Sequence, residues 1–178
     1  MKRDYVLKGL GNRHLNIMFG DFCYFNRHTL HERYTPLGIG LIGQYTKQQF
    51  GEDVEISLFK SVDKFLEKAT EKSPDVIGLS VYYWNMAQNQ YVVKKIREMY
   101  GKKVVIVLGG PSIDNEINEQ RKFLSTVFPE ADAVIINEGE IGFTNIIKKI
   151  FDDRDNLFKD SIDGISFLSG DQVVQGLA

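Results

Sequence analysis

Glycine-rich and polar residues follow the apolar runs of this sequence, and they are the first candidates for chemistry. The segment Gly109-Gly110-Pro111-Ser112 comes directly after the wholly apolar run Val104 to Leu108. Glycine lets a ligand approach the backbone closely because it has no side chain. The alternative is a tight strand-to-helix turn in which Ser112 caps the helix. We expect ligand contact, because such a turn lies at the sheet edge where ligands bind.

Two further segments stand at the ends of apolar runs. Asn137-Glu138-Gly139-Glu140 precedes an amphipathic stretch. Its carboxylates would complement the dipole of a helix N-terminus, so capping explains them as well as ligand binding does. Tyr82-Tyr83-Trp84 forms an aromatic cluster. These rings either pack at the rim of a sheet or stack on a flat ligand or a partner surface.

Gly38, Gly40 and Gly43 match the G-x-G-x-x-G fingerprint of dinucleotide-binding domains. That fingerprint needs its first glycine in the turn directly after a strand, where backbone N–H groups meet the pyrophosphate. Gly38 lies well beyond the first predicted strand and already inside a predicted helix. Small residues that let the helix press against the sheet explain the pattern better.

His28 and His31 lie close in sequence to the single cysteine, Cys23. A structural zinc site needs four ligands, and this chain offers few candidates. Solvated loop histidines are the preferred interpretation, and we predict no metal ligand.

Composition excludes several classes of protein. The chain has 22 Lys plus Arg and 24 Asp plus Glu, a net charge of −2, which gives no electrostatic footprint for nucleic acid. Its apolar runs are too short to span a membrane. One cysteine rules out an internal disulfide and any iron–sulfur cluster held by this chain alone. The first residues lack the apolar run of a signal peptide, so we expect a cytoplasmic protein.

Strand-like runs alternate with amphipathic stretches, which predicts five βα units and a parallel sheet with helices on both faces. We expect a flavodoxin-like, Rossmann-like three-layer sandwich with strand order 2-1-3-4-5, followed by a C-terminal β-hairpin turning at Gly170-Asp171. Ligands bind such folds at the carboxyl ends of the strands, where the strand order reverses. The predicted strands are Leu15 to Phe25, Val54 to Phe59, Val76 to Tyr83, Val104 to Leu108 and Ala133 to Ile136. The predicted helices are Pro36 to Phe50, Val62 to Lys72, Asn85 (as cap) to Tyr100, Ile113 to Phe128 and Ile141 to Phe151.

Five short motifs stand in one order along the chain, and the set resembles the N-terminal cobalamin-binding domain of B12-type radical SAM proteins. Each motif is weak alone, whereas the ordered set is fairly specific. The motifs are Thr35-Pro36-Leu37-Gly38, Pro74-Asp75-Val76-Ile77-Gly78-Leu79-Ser80, Val107-Leu108-Gly109-Gly110-Pro111, Ala131-Asp132-Ala133-Val134 and Glu138-Gly139-Glu140.

The resemblance implies a domain, residues 1–153, that holds cobalamin at the carboxyl edge of its sheet. Residues 154–178 would then form a linker and hairpin that lead toward a radical SAM barrel. That barrel, with its 4Fe–4S cluster and S-adenosylmethionine, is not part of this chain, so we expect the chain alone to catalyse nothing. The implied cofactor-binding residues are Thr35, Pro36, Leu37, Gly38, Ser80, Val81, Tyr82, Gly109, Gly110, Pro111, Ser112, Asn137, Glu138 and Gly139.

Two departures from the family pattern qualify the resemblance. The D-x-H-x-x-G signature that supplies a lower axial histidine is absent, and Thr35 stands where the histidine would be. The first residue of the usual G-E-G-E is Asn137. The alternatives are therefore a degenerate scaffold that binds no cofactor and packs on the catalytic barrel, or, less favoured, a nucleotide-binding module.

Overall fold

The computed structural model describes residues 14–23, 25–26, 29–30 and 35–177, and within them seven strands form one sheet. The strands are β1 (Leu15–Gly20), β2 (Val54–Phe59), β3 (Val76–Ser80), β4 (Val105–Gly109), β5 (Ala133–Ile135), β6 (Ile165–Ser169) and β7 (Gln172–Gln175). Their spatial order is β2-β1-β3-β4-β5-β6-β7, and the first five are parallel. The predicted fold class and strand order are confirmed.

Helices cover both faces of the parallel part of the sheet. They are α1 (Leu37–Phe50), α2 (Val62–Glu71), α3 (Met86–Tyr100), α4 (Ile117–Lys122) and α5 (Gly139–Asp153). One core cluster joins α1 and α5 to Ile17, Phe19 and Val107. The other joins α2 and α3 to Met18, Ile77 and Leu108. Alternate strand residues therefore enter opposite cores, which explains why β4 and all of β3 except its last residue, Ser80, lack polar side chains.

The C-terminal hairpin belongs to the sheet. Strand β6 pairs antiparallel with β5, with Ile165 opposite Ile135. Strand β7 then pairs with β6 after the predicted turn, where Gly170 has a φ of 59°. Ile165 and Phe167 are buried in the core, so the hairpin contributes to folding of the domain.

Two predicted elements have different ends in the structure. The third strand ends at Ser80 instead of Tyr83, because Asn85 Oδ1 accepts a hydrogen bond from Tyr82 N (2.8 Å) and the chain turns. The fourth helix begins at Ile117 instead of Ile113, and Glu116 caps it by accepting from Glu119 N (3.0 Å). The alternative role of Ser112 as a helix cap is therefore wrong.

Among the other predicted elements, Val54–Phe59 has the predicted bounds, and the rest differ from the observed ones by a few residues at their ends. The first strand, expected to reach Phe25, ends at Gly20, and a short antiparallel ribbon pairs Phe25–Asn26 with Thr29–Leu30. In the described part of the chain, no helix combines the length and the apolar character needed to cross a bilayer.

The edge where the parallel strands begin, here called the amino edge, is held by paired charges. Asp132 Oδ2 accepts from Ile106 N (2.8 Å) and pairs with Arg97, while Oδ1 accepts from Lys102 Nζ (3.0 Å). Asp75 Oδ2 accepts from Asn16 N (2.9 Å), and its Oδ1 pairs with Arg154. Both motif aspartates therefore serve the fold.

Candidate functional site

A cleft of about 190 Å³ lies at the opposite edge, here called the carboxyl edge, between the sheet and helices α1 and α5. Seven predicted site residues line it: Gly38, Ser80, Tyr82, Gly109, Gly110, Asn137 and Gly139. A larger groove of about 960 Å³ lies at the amino edge. Asp132 and Arg154 in that groove already pair with other charges, so the carboxyl-edge cleft is the better site.

Gly110 brings the loops after β3 and β4 together. Its φ is 115°, and a Cβ there would lie 2.8 Å from Val81 O and 2.9 Å from Val81 N. Val81 N donates to Gly109 O (2.6 Å), and Ser112 N donates to Val81 O (3.3 Å). Glycine is required because both the backbone conformation and the space exclude a side chain. The loops consequently present backbone groups at the mouth of the cleft.

The floor of the cleft is apolar and depends on two more glycines. A Cβ at Gly78 would lie 2.6 Å from the Phe19 ring, which itself packs on Phe143 with centroids 4.7 Å apart. A Cβ at Gly139 would lie 2.3 Å from Ile42 Cδ1. The cleft therefore exists because side chains are missing at these positions.

Sequence reasoning did not assign several residues that line the cleft. They come mainly from strand interiors and from the inner faces of α1 and α5, where an apolar residue carries no signal beyond core packing. Four of them, Gly78, Leu79, Val107 and Glu140, belong to the motifs of the resemblance but were not assigned to the site. The unassigned residues are Phe19, Ile39, Ile42, Gly78, Leu79, Val107, Ile135, Glu140 and Phe143.

Asn137 explains one departure from the family pattern. Its φ is 59°, and it is the one non-glycine residue with positive φ in the described part of the chain. Asparagine tolerates this left-handed conformation better than most residues. The turn that glycine usually makes here is therefore preserved.

Asn85 organises the loop after β3. Its side chain is fully buried, accepts from Tyr82 N (2.8 Å) and Asn89 Nδ2 (2.8 Å), and donates to Ser80 O (3.0 Å) and Phe22 O (3.3 Å). The sequence suggests Asn85 as the cap of the third helix. It occupies that position, but its side chain makes no hydrogen bond to a helix N–H. The side chain instead fixes the loop.

The remaining predicted site residues surround the cleft without lining it. Thr35 and Leu37 are exposed at the start of α1, with Pro36 half-buried between them. Val81 is buried in the core on the α2 and α3 side. The others are Pro111 and Ser112 in the loop after β4, and Glu138 at the start of α5.

The aromatic cluster stands at the rim. The rings of Tyr82 and Trp84 are stacked with centroids 4.4 Å apart and an angle of 11° between their planes. Tyr83 lies edge-on to Trp84 and is 80% exposed. Tyr82 also lines the cleft, so its ring both packs on Trp84 at the rim and is accessible to a ligand.

Candidate metal ligands are sparse. His28 and His31 lie outside the described residues, and Cys23 is buried. His14 lies at the amino edge, where its Nδ1 is 2.9 Å from Glu52 O. The described ranges contain no group of three or more His, Cys, Asp or Glu that could hold a metal ion.

The glycines of the fingerprint pattern lie within α1, and none of them follows a strand directly. Gly43 faces the sheet, where a Cβ would be 3.3 Å from Ile56 Cγ2. A Cβ at Gly38 or Gly40 would meet nothing within 4 Å. Of the three glycines, only Gly43 therefore allows close packing of the helix on the sheet. None of the three forms a phosphate-binding turn.

Comparison with known proteins identifies the family to which this chain belongs. The B12 binding domain model matches residues 25–147. The chain is 27% identical over 150 residues to the cobalamin-dependent radical SAM methyltransferase TokK of Streptomyces tokunonensis, covering 80% of this chain and 21% of that protein. It thus spans about a fifth of that relative's length.

Solved structures share the fold. The cobalamin-dependent S-adenosylmethionine radical enzyme OxsB with aqua-cobalamin bound superposes with a TM-score of 0.70 and 17% identity, over 95% of this chain and 23% of that one. A cobalamin-binding protein from Desulfitobacterium hafniense DCB-2 gives 0.55 and 16%, over 77% and 59%. Because the family match covers more than half of its residues, this chain belongs to the B12-binding domain family.

Proposed function

We propose that this domain binds cobalamin at its carboxyl edge, as the cofactor-holding part of a larger radical SAM enzyme. The observation that carries the proposal is the glycine-built cleft at the point where the strand order reverses, in a chain of the B12-binding family. Ligands of open α/β sheets bind at this point.

The size of the cleft indicates which part of cobalamin would enter it and which part would stay outside. About 190 Å³ is below the roughly 300–1,000 Å³ of clefts that enclose a drug-sized ligand. Only one arm of cobalamin fits inside, and the flat nucleotide base suits the apolar floor of Phe19, Gly78 and Phe143. The corrin ring then lies outside the cleft, over the rim.

The rim offers the polar contacts that the ring amides require. Backbone groups of Gly109 and Gly110 and the side chain of Ser80 lie at the cleft. Tyr82, whose ring stacks on Trp84, also lines the cleft. These residues bind and orient the ligand, while the apolar floor excludes water.

The lower face of cobalt receives no protein ligand in this proposal. Thr35 occupies the position of the missing histidine, and a neutral hydroxyl is a much weaker ligand than imidazole. A nitrogen superhyperfine splitting in the EPR spectrum of the Co(II) form, lost in His28→Ala or His31→Ala, would contradict this assignment. We expect no such splitting once the nucleotide base is displaced.

The names of the relatives support the wider role. TokK is a cobalamin-dependent radical SAM methyltransferase, and a second relative, from Streptomyces wedmorensis, is the cytidylyl-2-hydroxyethylphosphonate methyltransferase. When bound, cobalamin supplies a methyl carrier or an electron partner. The 4Fe–4S cluster and S-adenosylmethionine belong to a separate barrel, toward which we propose that residues 154–178 lead. A cluster held by thiolates suits a reducing compartment, so we propose a cytoplasmic location.

Titration of the purified chain with hydroxocobalamin tests the proposal. We expect a saturable change in the visible absorbance and co-elution of the pigment with the protein in gel filtration. Gly110→Ala should abolish co-elution while the circular dichroism spectrum keeps its form. Absence of binding by the folded wild-type chain would contradict the proposal and favour a scaffold domain, and binding of NAD instead would favour a nucleotide module.

A further inference from the structure

Hydrogen bonds join neighbouring loops along the carboxyl edge. Asn85 Nδ2 links the loop after β3 to Phe22 O, in the loop after β1 (3.3 Å). Val81 N links the loop after β3 to Gly109 O, at the end of β4 (2.6 Å). The first of these hydrogen bonds uses a buried side chain and the second uses backbone groups alone, so both form whenever the domain folds.

A third hydrogen bond between neighbouring loops is made by two exposed side chains. Asn115 Nδ2, in the loop after β4, donates to Asn137 Oδ1, after β5, at 2.9 Å. We call this hydrogen bond the asparagine bridge. Asn137 lines the cleft, and Asn115 lies outside the residues that line it. The bridge therefore spans the mouth of the site from one loop to the next.

The backbone at Asn137 does not require this side chain. Its φ of 59° is a conformation that glycine adopts at no steric cost. Asparagine adds an amide that glycine lacks, and that amide oxygen is the acceptor of the bridge. The turn and the bridge are thus separable properties of one residue.

We propose that the asparagine bridge orders the loop after β4 for ligand binding, with Asn115 and Asn137 as positioning residues. A loop that is already held in its bound conformation loses less entropy when the ligand arrives. For its ligand, this inference rests on the proposed cobalamin site. For the ordering of the loop, it rests on the apo domain alone.

Four variants separate the bridge from other roles of these residues. Asn115→Ala removes the donor, and Asn137→Gly removes the acceptor but keeps the positive φ. Asn137→Asp keeps an acceptor oxygen in place. Asn118→Ala is the matched control, because Asn118 Nδ2 makes an exposed hydrogen bond of the same length, 2.9 Å, to Glu116 within the same helix region.

Hydroxocobalamin affinity and thermal stability are measured for each variant and for the Asn115→Ala/Asn137→Gly double variant. One net hydrogen bond corresponds to roughly threefold to tenfold in affinity. We expect this loss in Asn115→Ala and in Asn137→Gly, and no larger loss in the double variant, because both act through one bond. Asn118→Ala should bind like wild type, Asn137→Asp should lose less affinity than Asn137→Gly because it keeps an acceptor oxygen, and melting temperatures should stay unchanged.

Amide hydrogen exchange of the apo protein gives a second readout, independent of any ligand. Residues 110–116 should exchange about three times faster or more in Asn115→Ala and Asn137→Gly, with β2 unchanged. Wild-type affinity and exchange in Asn115→Ala would overturn the bridge. Additive losses in the double variant would overturn it too, because Asn137 would then contact the ligand directly. If the wild type binds no cobalamin, the proposed function fails, and the exchange data alone decide the inference.

Discussion

The two edges of the parallel sheet are built in opposite ways. At the amino edge, Asp75 and Asp132 accept backbone N–H groups and pair with arginines, so their charges are neutralised. At the carboxyl edge, Gly110 and Gly139 leave space, and the buried Asp21 has one carboxylate oxygen without a hydrogen-bond partner among the described residues. The charges of the amino edge are thus paired within the fold, whereas the carboxyl edge leaves space and a polar group free of such partners among the described residues.

This difference shows that residues of the same motifs have different roles, some in stability and some in shaping the cleft. The aspartates of the Pro74-to-Ser80 and Ala131-to-Val134 motifs stabilise the strand starts, far from the cleft. Gly78, Gly109 and Gly110 in the same set of motifs shape the cleft itself. A motif can therefore mark a family without each of its residues touching the ligand. Changes at the amino edge should affect stability alone, and changes at the carboxyl edge should affect binding.

The largest effect on stability is expected at the amino edge. Asp132→Ala leaves the mostly buried Arg97 without its carboxylate and Ile106 N without its acceptor. We expect the free energy of unfolding in urea to fall by about 3–5 kcal/mol. Cobalamin affinity of the remaining folded protein should not change. Asp160→Ala, at an exposed aspartate, is the control. A large loss of affinity in Asp132→Ala would show that the edges are coupled.

Asn85→Ala should have the second largest effect, at the carboxyl edge. It removes four hydrogen bonds and leaves Tyr82 N and Phe22 O without this partner. We expect a loss of about 2–3 kcal/mol of unfolding free energy, together with weaker cobalamin binding. Asn89→Ala, in α3, removes only two hydrogen bonds, to Ser80 O and Asn85 Oδ1, and should cost less. Unchanged affinity in Asn85→Ala would mean that this loop does not shape the site.

Gly110→Ala and Gly101→Ala compare the edges directly, because both glycines have positive φ. Each substitution should cost on the order of 1–3 kcal/mol of backbone strain, because both glycines have backbone conformations that other residues rarely adopt. A Cβ at Gly101 meets nothing within 4 Å, whereas one at Gly110 would clash with Val81. We therefore expect lost cobalamin binding in Gly110→Ala alone, measured by titration with hydroxocobalamin. Equal affinities in the two variants would break the contrast between the edges.

The smallest effect concerns pH, and its sign should differ between the edges. Burial raises the pKa of Asp21, against the positive charge of Lys60. The stability that Asp21 gives is therefore lost as the pH rises through its folded pKa. Asp21→Asn should increase unfolding free energy at pH 7, and the gain should shrink as the pH approaches 4, where protonated Asp21 is itself neutral.

Glu55, at the start of β2, is the comparison for Asp21. The hydrogen bond from Lys72 lowers the pKa of Glu55, so its stabilisation is lost as the pH falls through the folded pKa. Glu55→Gln should destabilise the domain slightly at pH 7 and less at pH 4. Urea unfolding at the two pH values measures both variants. The same sign of change in both would contradict the contrast.

The sequence alone determined the architecture. Apolar runs alternating with amphipathic stretches predicted five βα units, because buried parallel strands and their covering helices have different hydrophobic periods. Val54–Phe59 was predicted with its observed bounds, and the hairpin turn at Gly170-Asp171 was located by its turn residues. Seven of the predicted site residues also line one cleft, because they follow strands whose ends meet at one edge of the sheet.

Tertiary structure decided what those residues do. Asn85 holds a loop instead of a helix end, Gly110 makes room for Val81, and Asn137 bridges to Asn115. The roles of Gly110 and Asn137 depend on a partner from another βα unit, and Asn85 also reaches such a partner at Phe22 O. Local sequence patterns contain no information about such distant pairs. The floor of the cleft, formed by Phe19 and Phe143, could not be predicted for a related reason. In the sequence, a phenylalanine that packs in a core cannot be distinguished from one that forms the floor of a site, because both are apolar residues at buried positions of a helix or strand.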